Sequence, residues 1–191
     1  MAEAPLTPIT ALGGRAPRID RIGAVTITER PEVALASLAL RRGTEAESLG
    51  LGIALPGPGR HASGEGGLGA LWTGPGSWLV EAPLEAGRDL SVELAQKTAG
   101  RASVTDQTDA WACFDIEAAD AAALFERLCA LDTRRMEAGA GSRSVIEHVS
   151  CFIICREANR RFTVIGPRSS AASLHHALTA TASAVAILET N

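Results

Sequence analysis

A glycine- and proline-rich turn between two short apolar runs is the sequence feature that most constrains the fold. Residues 69–83 read Gly-Ala-Leu-Trp-Thr-Gly-Pro-Gly-Ser-Trp-Leu-Val-Glu-Ala-Pro. The glycines permit positive φ angles and the proline presets the turn, so this stretch predicts a β-hairpin. A second hairpin is predicted where a polar turn at 157–160 separates a central strand at 144–155 from its partner at 161–165.

The same order of elements is predicted around each hairpin, beginning with the first half of the chain. An apolar run at 33–40 predicts a strand. Thr44 and Glu47 form a capping-box pattern, which predicts the start of a short helix. After the hairpin, Leu90 and Leu94 lie one turn apart on a predicted helix, and a strand follows at 102–105.

The second half repeats this order. A strand at 111–116 is followed by a helix for which Asp120 is the predicted N-cap. After the second hairpin, Ser169 or Ser170 caps a further helix, and Val185 alternates with Ile187 in a last strand.

These patterns predict an α+β fold made of two strand-helix-hairpin-helix-strand modules. The modules cover about 21–106 and 107–191 and pack together as a single domain over 21–191. Residues 1–20 mix prolines and glycines with few periodic apolar positions, so they are predicted to form an extended N-terminal arm.

Composition narrows the class of protein. The 191 residues, 46% apolar and 21% charged, are enough to bury roughly 70% of the unfolded-chain surface. The net charge of −4 argues against general nucleic-acid binding, which depends on Lys and Arg. No signal peptide stands at the N-terminus and no run approaches the roughly 18 apolar residues of a membrane span, so we expect a cytoplasmic protein with no membrane partner.

The four cysteines, Cys113, Cys129, Cys151 and Cys155, form neither a Cys-x-x-Cys pair nor the framework of a small secreted protein. They are therefore predicted to be buried, reduced thiols that bind no zinc.

Few residues point to chemistry. Residues 64–69 satisfy G-x-G-x-x-G, but they follow a loop and precede a strand, which is the wrong context for a dinucleotide site. His175 and His176 are adjacent on a predicted helix and diverge by about 100°, so one of them faces solvent. His148 is placed in the central strand, where a structural histidine with a polar partner is favoured over a catalytic base. No acid-base pair, catalytic triad or metal-ligand set stands out.

Two segments carry a resemblance to a known family. They are Leu-Trp-Thr-Gly-Pro-Gly-Ser-Trp-Leu-Val at 71–80 and Val-Thr-Asp-Gln-Thr-Asp-Ala-Trp at 104–111. With these segments the chain resembles the gamma subunit of heterotetrameric sarcosine oxidase, over most of its length after Val33. That family is similar to the folate-binding domain of the glycine-cleavage T-protein, which has a duplicated α+β fold.

The resemblance implies a function within a complex. The complex oxidises sarcosine to glycine, with hydrogen peroxide and with formaldehyde or methylenetetrahydrofolate as the other products. The resemblance implies alpha, beta and delta subunits as partners, with FAD, FMN, NAD and tetrahydrofolate in the complex and zinc in the delta subunit. It implies no cofactor, catalytic residue or metal in this chain. A T-protein would carry a catalytic aspartate near the first hairpin, where this chain has only Gly66-Gly67-Leu68-Gly69-Ala70.

Three function classes follow. The first is a noncatalytic subunit of a flavin-dependent amine oxidase, the second a stand-alone folate-dependent aminomethyltransferase-like protein, and the third a small-molecule-binding regulatory module. A noncatalytic subunit acts through its interfaces, so its functional residues are expected to be interface anchors. The candidates are Trp72, Trp78 and Trp111, with Asp106 and Gln107 at the junction of the two modules.

Overall fold

Two antiparallel sheets packed face to face form the centre of the protein, and helices cover their outer surfaces. The structure is a computed structural model, which describes residues 8–189. The described chain contains eleven strands: Ile19–Ile22 (β1), Val25–Glu29 (β2), Val33–Leu40 (β3), His61–Ser63 (β4), Gly69–Gly74 (β5), Ser77–Pro83 (β6), Ala102–Asp106 (β7), Trp111–Glu117 (β8), Gly141–Ile146 (β9), Val149–Glu157 (β10) and Arg161–Pro167 (β11).

The larger sheet has the order β1-β2-β8-β11-β10-β9, and the smaller sheet has the order β4-β5-β6-β3-β7. The predicted first hairpin is confirmed as β5 and β6, and the second as β10 and β11. In the first hairpin Gly76 follows Pro75 with a φ of 63°, a conformation that glycine adopts without strain.

Three α-helices complete the fold: Leu90–Thr98 (α1), Ala121–Leu128 (α2) and Ala171–Glu189 (α3). The side chain of Asp120 caps α2 by accepting a hydrogen bond from the backbone N–H of Ala123, as predicted. The predicted capping box of Thr44 and Glu47 is wrong. The short element there is a 3-10 helix, Ala46–Leu49, which has no side-chain cap.

Apolar side chains form a core in each gap between layers. Leu35, Leu71 and Leu79 of the smaller sheet meet Phe152 and Ile154 of the larger sheet. On the outer surfaces, α2 and α3 cover the larger sheet and α1 covers the smaller one. The order of layers is therefore α1, smaller sheet, larger sheet, then α2 and α3, which is an α+β architecture.

The two sheets share an order of strands. In the smaller sheet β4-β5-β6-β3 is followed by β7, and in the larger sheet β9-β10-β11-β8 is followed by β2. The predicted last strand with Val185 and Ile187 is wrong, because α3 continues through it. Val185 is buried on the same helical face as Leu174 and Leu178, and β2, from the start of the chain, takes the place beside β8. Duplication of one module stays a prediction.

The predicted central strand at 144–155 is also wrong. It is two strands, β9 and β10, joined by Glu147 and His148, whose φ angles are 43° and 69°. His148 is therefore exposed at a hairpin turn and is not in a strand. Positive φ at two successive residues is the geometry of a tight two-residue hairpin turn. The sequence does not indicate this turn, because neither residue is Gly or Asn, the types that favour positive φ.

The arm predicted at 1–20 is described from Pro8 onward, and residues 1–7 lie outside the described part of the chain. Residues 8–18 contain no helix or strand, and β1 begins at Ile19. Buried Glu29 accepts hydrogen bonds from the backbone N–H groups of Leu12 and Arg18, at 2.9 Å and 3.2 Å. The described segment of the arm is thus tied to the larger sheet.

One helical segment, Arg168–Leu188, is long and apolar enough by length and composition alone to cross a membrane. The core helices of soluble proteins share these properties. One face of this segment, with Leu174, Leu178 and Ala182, is buried against the larger sheet.

Candidate functional site

A polar cleft of about 390 Å³ opens where the two sheets part at one end of their interface. Along β6, apolar Leu79 is followed two residues later by Glu81, and along β10, Ile154 is followed by Arg156. Because residues two apart in a strand face the same side, these charged side chains lie on the inner faces of the sheets. The interface therefore changes from apolar to polar along the strands, and the cleft lies at its polar end.

An ion pair between the sheets closes the inner end of the cleft. Arg156 Nη1 donates to Glu81 Oε1 at 2.7 Å, and Arg156 Nη2 donates to Glu81 Oε2 at 2.8 Å. His61 of β4 adds a third group, with Nε2 2.8 Å from Glu81 Oε1 and 3.1 Å from Arg156 Nη1. The side chains of Glu81, Arg156 and His61 are only 15%, 19% and 3% exposed. This bidentate geometry is the strong form of an arginine-carboxylate pair.

The pairing keeps Glu81 ionised. Burial by itself would raise the pKa of Glu81, but the hydrogen bonds from His61 and Arg156 and the positive charge of Arg156 lower it to about 2. Glu81 therefore carries a negative charge throughout the physiological pH range. It is not a proton donor there.

A second set of charges continues the network across the larger sheet. Arg156 Nε donates to Thr163 Oγ1 at 2.9 Å, and Thr163 Oγ1 donates to Asp115 Oδ1 at 2.6 Å. Arg30, in the loop after β2, donates to both Asp115 and Glu32. Burial would lower the pKa of Arg30, but its pairing with Glu32 and Asp115 raises it. The cleft is thus lined by linked ion pairs from several strands.

Gly69 of β5 makes room for this network. A Cβ atom at position 69 would lie 2.6 Å from Glu81 Oε1 and 2.8 Å from His61 Nε2, which is closer than a Cβ atom approaches other heavy atoms in proteins. The glycine-rich stretch that resembled a dinucleotide loop therefore has a packing function at Gly69.

A thiol lies beside these ion pairs. Cys113 lies in the cleft wall, and burial, together with the negative charges of Glu81 and Asp115, raises its pKa to about 12. Its thiol is therefore protonated and a poor nucleophile. All four cysteines are free. Within residues 8–189, no group of three or more His, Cys, Asp or Glu side chains could hold a metal ion.

The predicted interface residues lie outside this cleft. Trp72 and Trp78 are directly opposed on β5 and β6 and pack on the outer face of the smaller sheet. Trp78 is only 6% exposed, and its Nε1 donates to the carbonyl of Pro56 at 2.8 Å. Trp72 is half-buried.

The junction residues form a separate group at the beginning of β8. Trp111 packs on Phe152 with ring centroids 5.7 Å apart, and its Nε1 donates to Gln107 Oε1 at 3.3 Å. Exposed Asp106 accepts hydrogen bonds from the N–H and hydroxyl of Thr108. These hydrogen bonds hold the junction in place. The structure does not bring these residues together with Trp72 and Trp78, and the subunit contacts of both groups stay predictions.

The histidines also have distinct environments. His176 is exposed, while buried His175 places its Nε2 2.7 Å from Asp20 Oδ2 of β1. This pair connects α3 to the edge of the larger sheet, as expected for a structural histidine with a polar partner.

Sequence reasoning missed the residues of the cleft, namely Arg30, His61, Glu81, Asp115, Arg156 and Thr163. One signal could have found half of them. Glu81, Asp115 and Arg156 each stand two positions after an apolar residue on the inner face of a strand. A charged residue at such a position marks the end of an apolar interface.

Comparisons with known proteins agree with this architecture. No protein-family model matches the chain, and no curated protein matches its sequence. Among solved structures, the chain is similar to a chain of the heterotetrameric sarcosine oxidase from Corynebacterium sp. U-96 in complex with pyrrole 2-carboxylate, with a TM-score of 0.75 and 19% identity. The match covers 88% of each chain.

A second solved structure is the glycine cleavage system aminomethyltransferase T from Bartonella henselae, with a TM-score of 0.61 and 15% identity. That match covers 82% of this chain and 46% of the aminomethyltransferase. The protein thus has the fold shared by a sarcosine oxidase chain and by aminomethyltransferase T. The resemblance detected in the sequence is confirmed at the level of the fold.

Proposed function

We propose that this chain is the gamma subunit of a heterotetrameric sarcosine oxidase and supports the oxidative demethylation of sarcosine without catalysing it. The observation that carries the proposal is the fold match to a sarcosine oxidase chain, which covers 88% of both chains. Equal coverage means that the two chains have about the same length, so the likeness extends over nearly the whole of each.

The chemistry of the cleft supports a noncatalytic role. The carboxylates of Glu81 and Asp115 are held in ion pairs with Arg156 and Arg30, and the thiol of Cys113 is protonated. General acid-base catalysis requires a group whose pKa lies near the working pH, and the pKa values of Glu81 and Cys113, about 2 and about 12, lie far from it.

In this proposal the partners are the alpha, beta and delta subunits. FAD, FMN, NAD and tetrahydrofolate belong to the rest of the complex and zinc to the delta subunit, whereas this chain holds no cofactor. The complex is cytoplasmic. Purified alone, the chain is expected to be colourless and free of zinc, as absorption spectroscopy and elemental analysis can establish.

Co-purification tests the proposal directly. The tagged chain is co-expressed with the alpha, beta and delta subunits encoded in its source genome, and the purified material is examined by native mass spectrometry and for sarcosine-dependent hydrogen peroxide formation. We expect a complex containing one copy of each chain, and lower yield or activity when this chain is omitted. Recovery of this chain free of all three partners would contradict the proposal.

A matched pair of variants tests the proposed interface. Trp72→Ala removes a half-buried aromatic from the outer face of the smaller sheet, and Ile187→Ala removes an exposed apolar side chain from α3 on the opposite side of the molecule. A well-packed aromatic contact contributes roughly 2–4 kcal/mol, so Trp72→Ala should weaken assembly while the free chain stays folded. Equal assembly of both variants would show that Trp72 is not an anchor.

A second candidate is a folate-dependent aminomethyltransferase-like protein, which the fold match to aminomethyltransferase T favours. The chain covers only 46% of that enzyme, and no carboxylate stands at 66–70, where the resemblance requires the catalytic aspartate. Calorimetric titration of the isolated chain with tetrahydrofolate separates the two functions. Tight binding without partner subunits would support the second.

A further inference from the structure

The hydrogen-bonding capacity of the polar cleft is unbalanced. Both oxygens of Glu81 accept hydrogen bonds from Arg156. Both oxygens of Asp115 are also engaged, one by Thr163 and the other by Arg30. The carboxylates that line the cleft are therefore already paired, and a cation entering it would find no free carboxylate.

Donors, in contrast, remain available. Arg161 lines the cleft, and its side chain makes no hydrogen bond or ion pair with any residue between 8 and 189. It stands two positions before Thr163 on β11, so the strand places both side chains on the inner face of the larger sheet. Arg30 uses Nε and Nη1 for Glu32 and Asp115, which leaves Nη2 without a partner among the described residues.

The charged side chains that line the cleft also include more arginines than carboxylates. Three arginines, Arg30, Arg156 and Arg161, face two carboxylates, Glu81 and Asp115. Arg30 is also paired with Glu32, which lies outside the lining, and Arg161 is the lining arginine that forms no ion pair with any described residue. An arginine fork matches the two oxygens of a carboxylate in geometry as well as in charge.

Apolar side chains line another part of the cleft. They are Val33 of β3, Leu68 of the loop before β5 and Pro83 of β6, and together they form its apolar wall. A volume of about 390 Å³ falls within the range of roughly 300–1,000 Å³ that is typical of small-molecule sites. A molecule with one anionic end and an apolar body would meet both walls.

We propose that this cleft is a binding site for a small organic carboxylate, with the carboxylate on Arg161 and Arg30 and the carbon skeleton against the apolar wall. The site lies entirely within this chain, so the proposal holds independently of assembly with other subunits. It does not require folate, since a carboxylate and an apolar body are sufficient for recognition.

Titration calorimetry of the full chain with three probes tests this proposal. Benzoate carries the expected carboxylate, benzylamine has the same ring with a cationic group, and benzamide is neutral. We expect saturable binding of one benzoate per chain with a dissociation constant of about 1 mM or lower, and no saturable binding of benzylamine. Absence of benzoate binding, or equal binding of benzylamine, would overturn the proposal.

Two neighbouring arginines provide matched variants. Both residues are exposed. Arg161→Gln removes the cleft guanidinium that forms no ion pair, whereas Arg160→Gln removes a guanidinium one residue away that does not line the cleft. We expect Arg161→Gln to weaken benzoate binding about tenfold, and Arg160→Gln to leave it unchanged. Thermal unfolding of both variants verifies that they are folded. Equal weakening by the two substitutions would mean that the ligand responds to net charge and does not occupy the cleft.

The test of the carboxylate site and the test of the proposed subunit function can fail independently. Benzoate binding is measured on the chain alone, and the subunit role is measured by co-purification. If tetrahydrofolate binds the isolated chain and benzoate does not, the carboxylate site is refuted and the aminomethyltransferase-like function gains support.

Discussion

Replacing Glu81 with glutamine tests whether the ion pair between the sheets stabilises the fold. The substitution preserves the size and shape of the side chain but removes its charge. Arg156, only 19% exposed, then loses the carboxylate that holds both of its terminal nitrogens. Removing one member of a buried pair is costly because the other charge stays buried without compensation.

The magnitude follows from the pKa of Glu81, which lies at about 2 in the folded protein against an ordinary value of 4.5. Each pKa unit corresponds to about 1.4 kcal/mol, so the ionised carboxylate contributes roughly 3 kcal/mol at neutral pH. Loss of one partner from a buried ion pair typically costs about 3–5 kcal/mol, which agrees in size. Glu81→Gln is therefore expected to lower the free energy of unfolding by about 3 kcal/mol at pH 7.

The sign of the pH dependence follows from the lowered pKa. Because the folded protein binds this proton more weakly than the unfolded chain, the stabilisation is fully present above pH 4.5 and is lost as pH falls toward 2. Urea unfolding followed by tryptophan fluorescence at pH 7 and pH 3 measures it. The difference between wild type and Glu81→Gln should shrink by about 2 kcal/mol between these pH values.

Glu157→Gln is the control, because Glu157 is an exposed carboxylate on β10 next to Arg156 and forms only a loose pair with Arg160. Its effect should stay within about 0.5 kcal/mol at both pH values. If Glu81→Gln were as stable as wild type at pH 7, or if the difference between them did not change with pH, the stabilising role of this pair would be refuted.

Three further predictions concern packing and reactivity. Trp78→Ala should lower the free energy of unfolding in urea by about 3–5 kcal/mol, because Trp78 is buried and hydrogen-bonded to the loop at Pro56. A loss smaller than about 1 kcal/mol would contradict its place in the core. Gly69→Ala should lower the free energy of unfolding by about 1–3 kcal/mol, because its methyl group displaces the network around the ion pair. Gly74→Ala should be nearly neutral, because its methyl group meets no atom within 4 Å. Equal effects of the two substitutions would contradict this prediction. Iodoacetamide should alkylate half-buried Cys129 in the native protein but buried Cys113 only after unfolding, because the raised pKa of Cys113 keeps its thiol protonated. Peptide mass spectrometry measures both reactions, and alkylation of Cys113 before Cys129 would contradict this prediction.

The sequence alone determined the features that depend on local backbone conformation. Pro75 and Gly76 specify the first hairpin because their preferred φ angles match the turn, and the pair appears in the structure at the predicted place. Asp120 caps α2 because its side chain reaches an amide three residues away. Such interactions join near neighbours in the chain, so residue type and spacing are sufficient to predict them.

Local patterns failed where two conformations were compatible with the same residues. Val185 and Ile187 alternate as in a strand, yet Val185 also continues the helical spacing of α3. The larger sheet decides between the two, because β2 already occupies the place beside β8. Glu147 and His148 likewise adopt positive φ angles in a hairpin that the residue types did not indicate.

The cleft depended entirely on the tertiary structure. Glu81 and Arg156 are 75 residues apart in the chain, and His61 and Arg156 are 95 apart. Only the packing of the two sheets brings these side chains within hydrogen-bonding distance. In the sequence Glu81 and Arg156 stand near the ends of apolar strands, and their neighbours in the chain do not identify the partner, which lies on the other sheet.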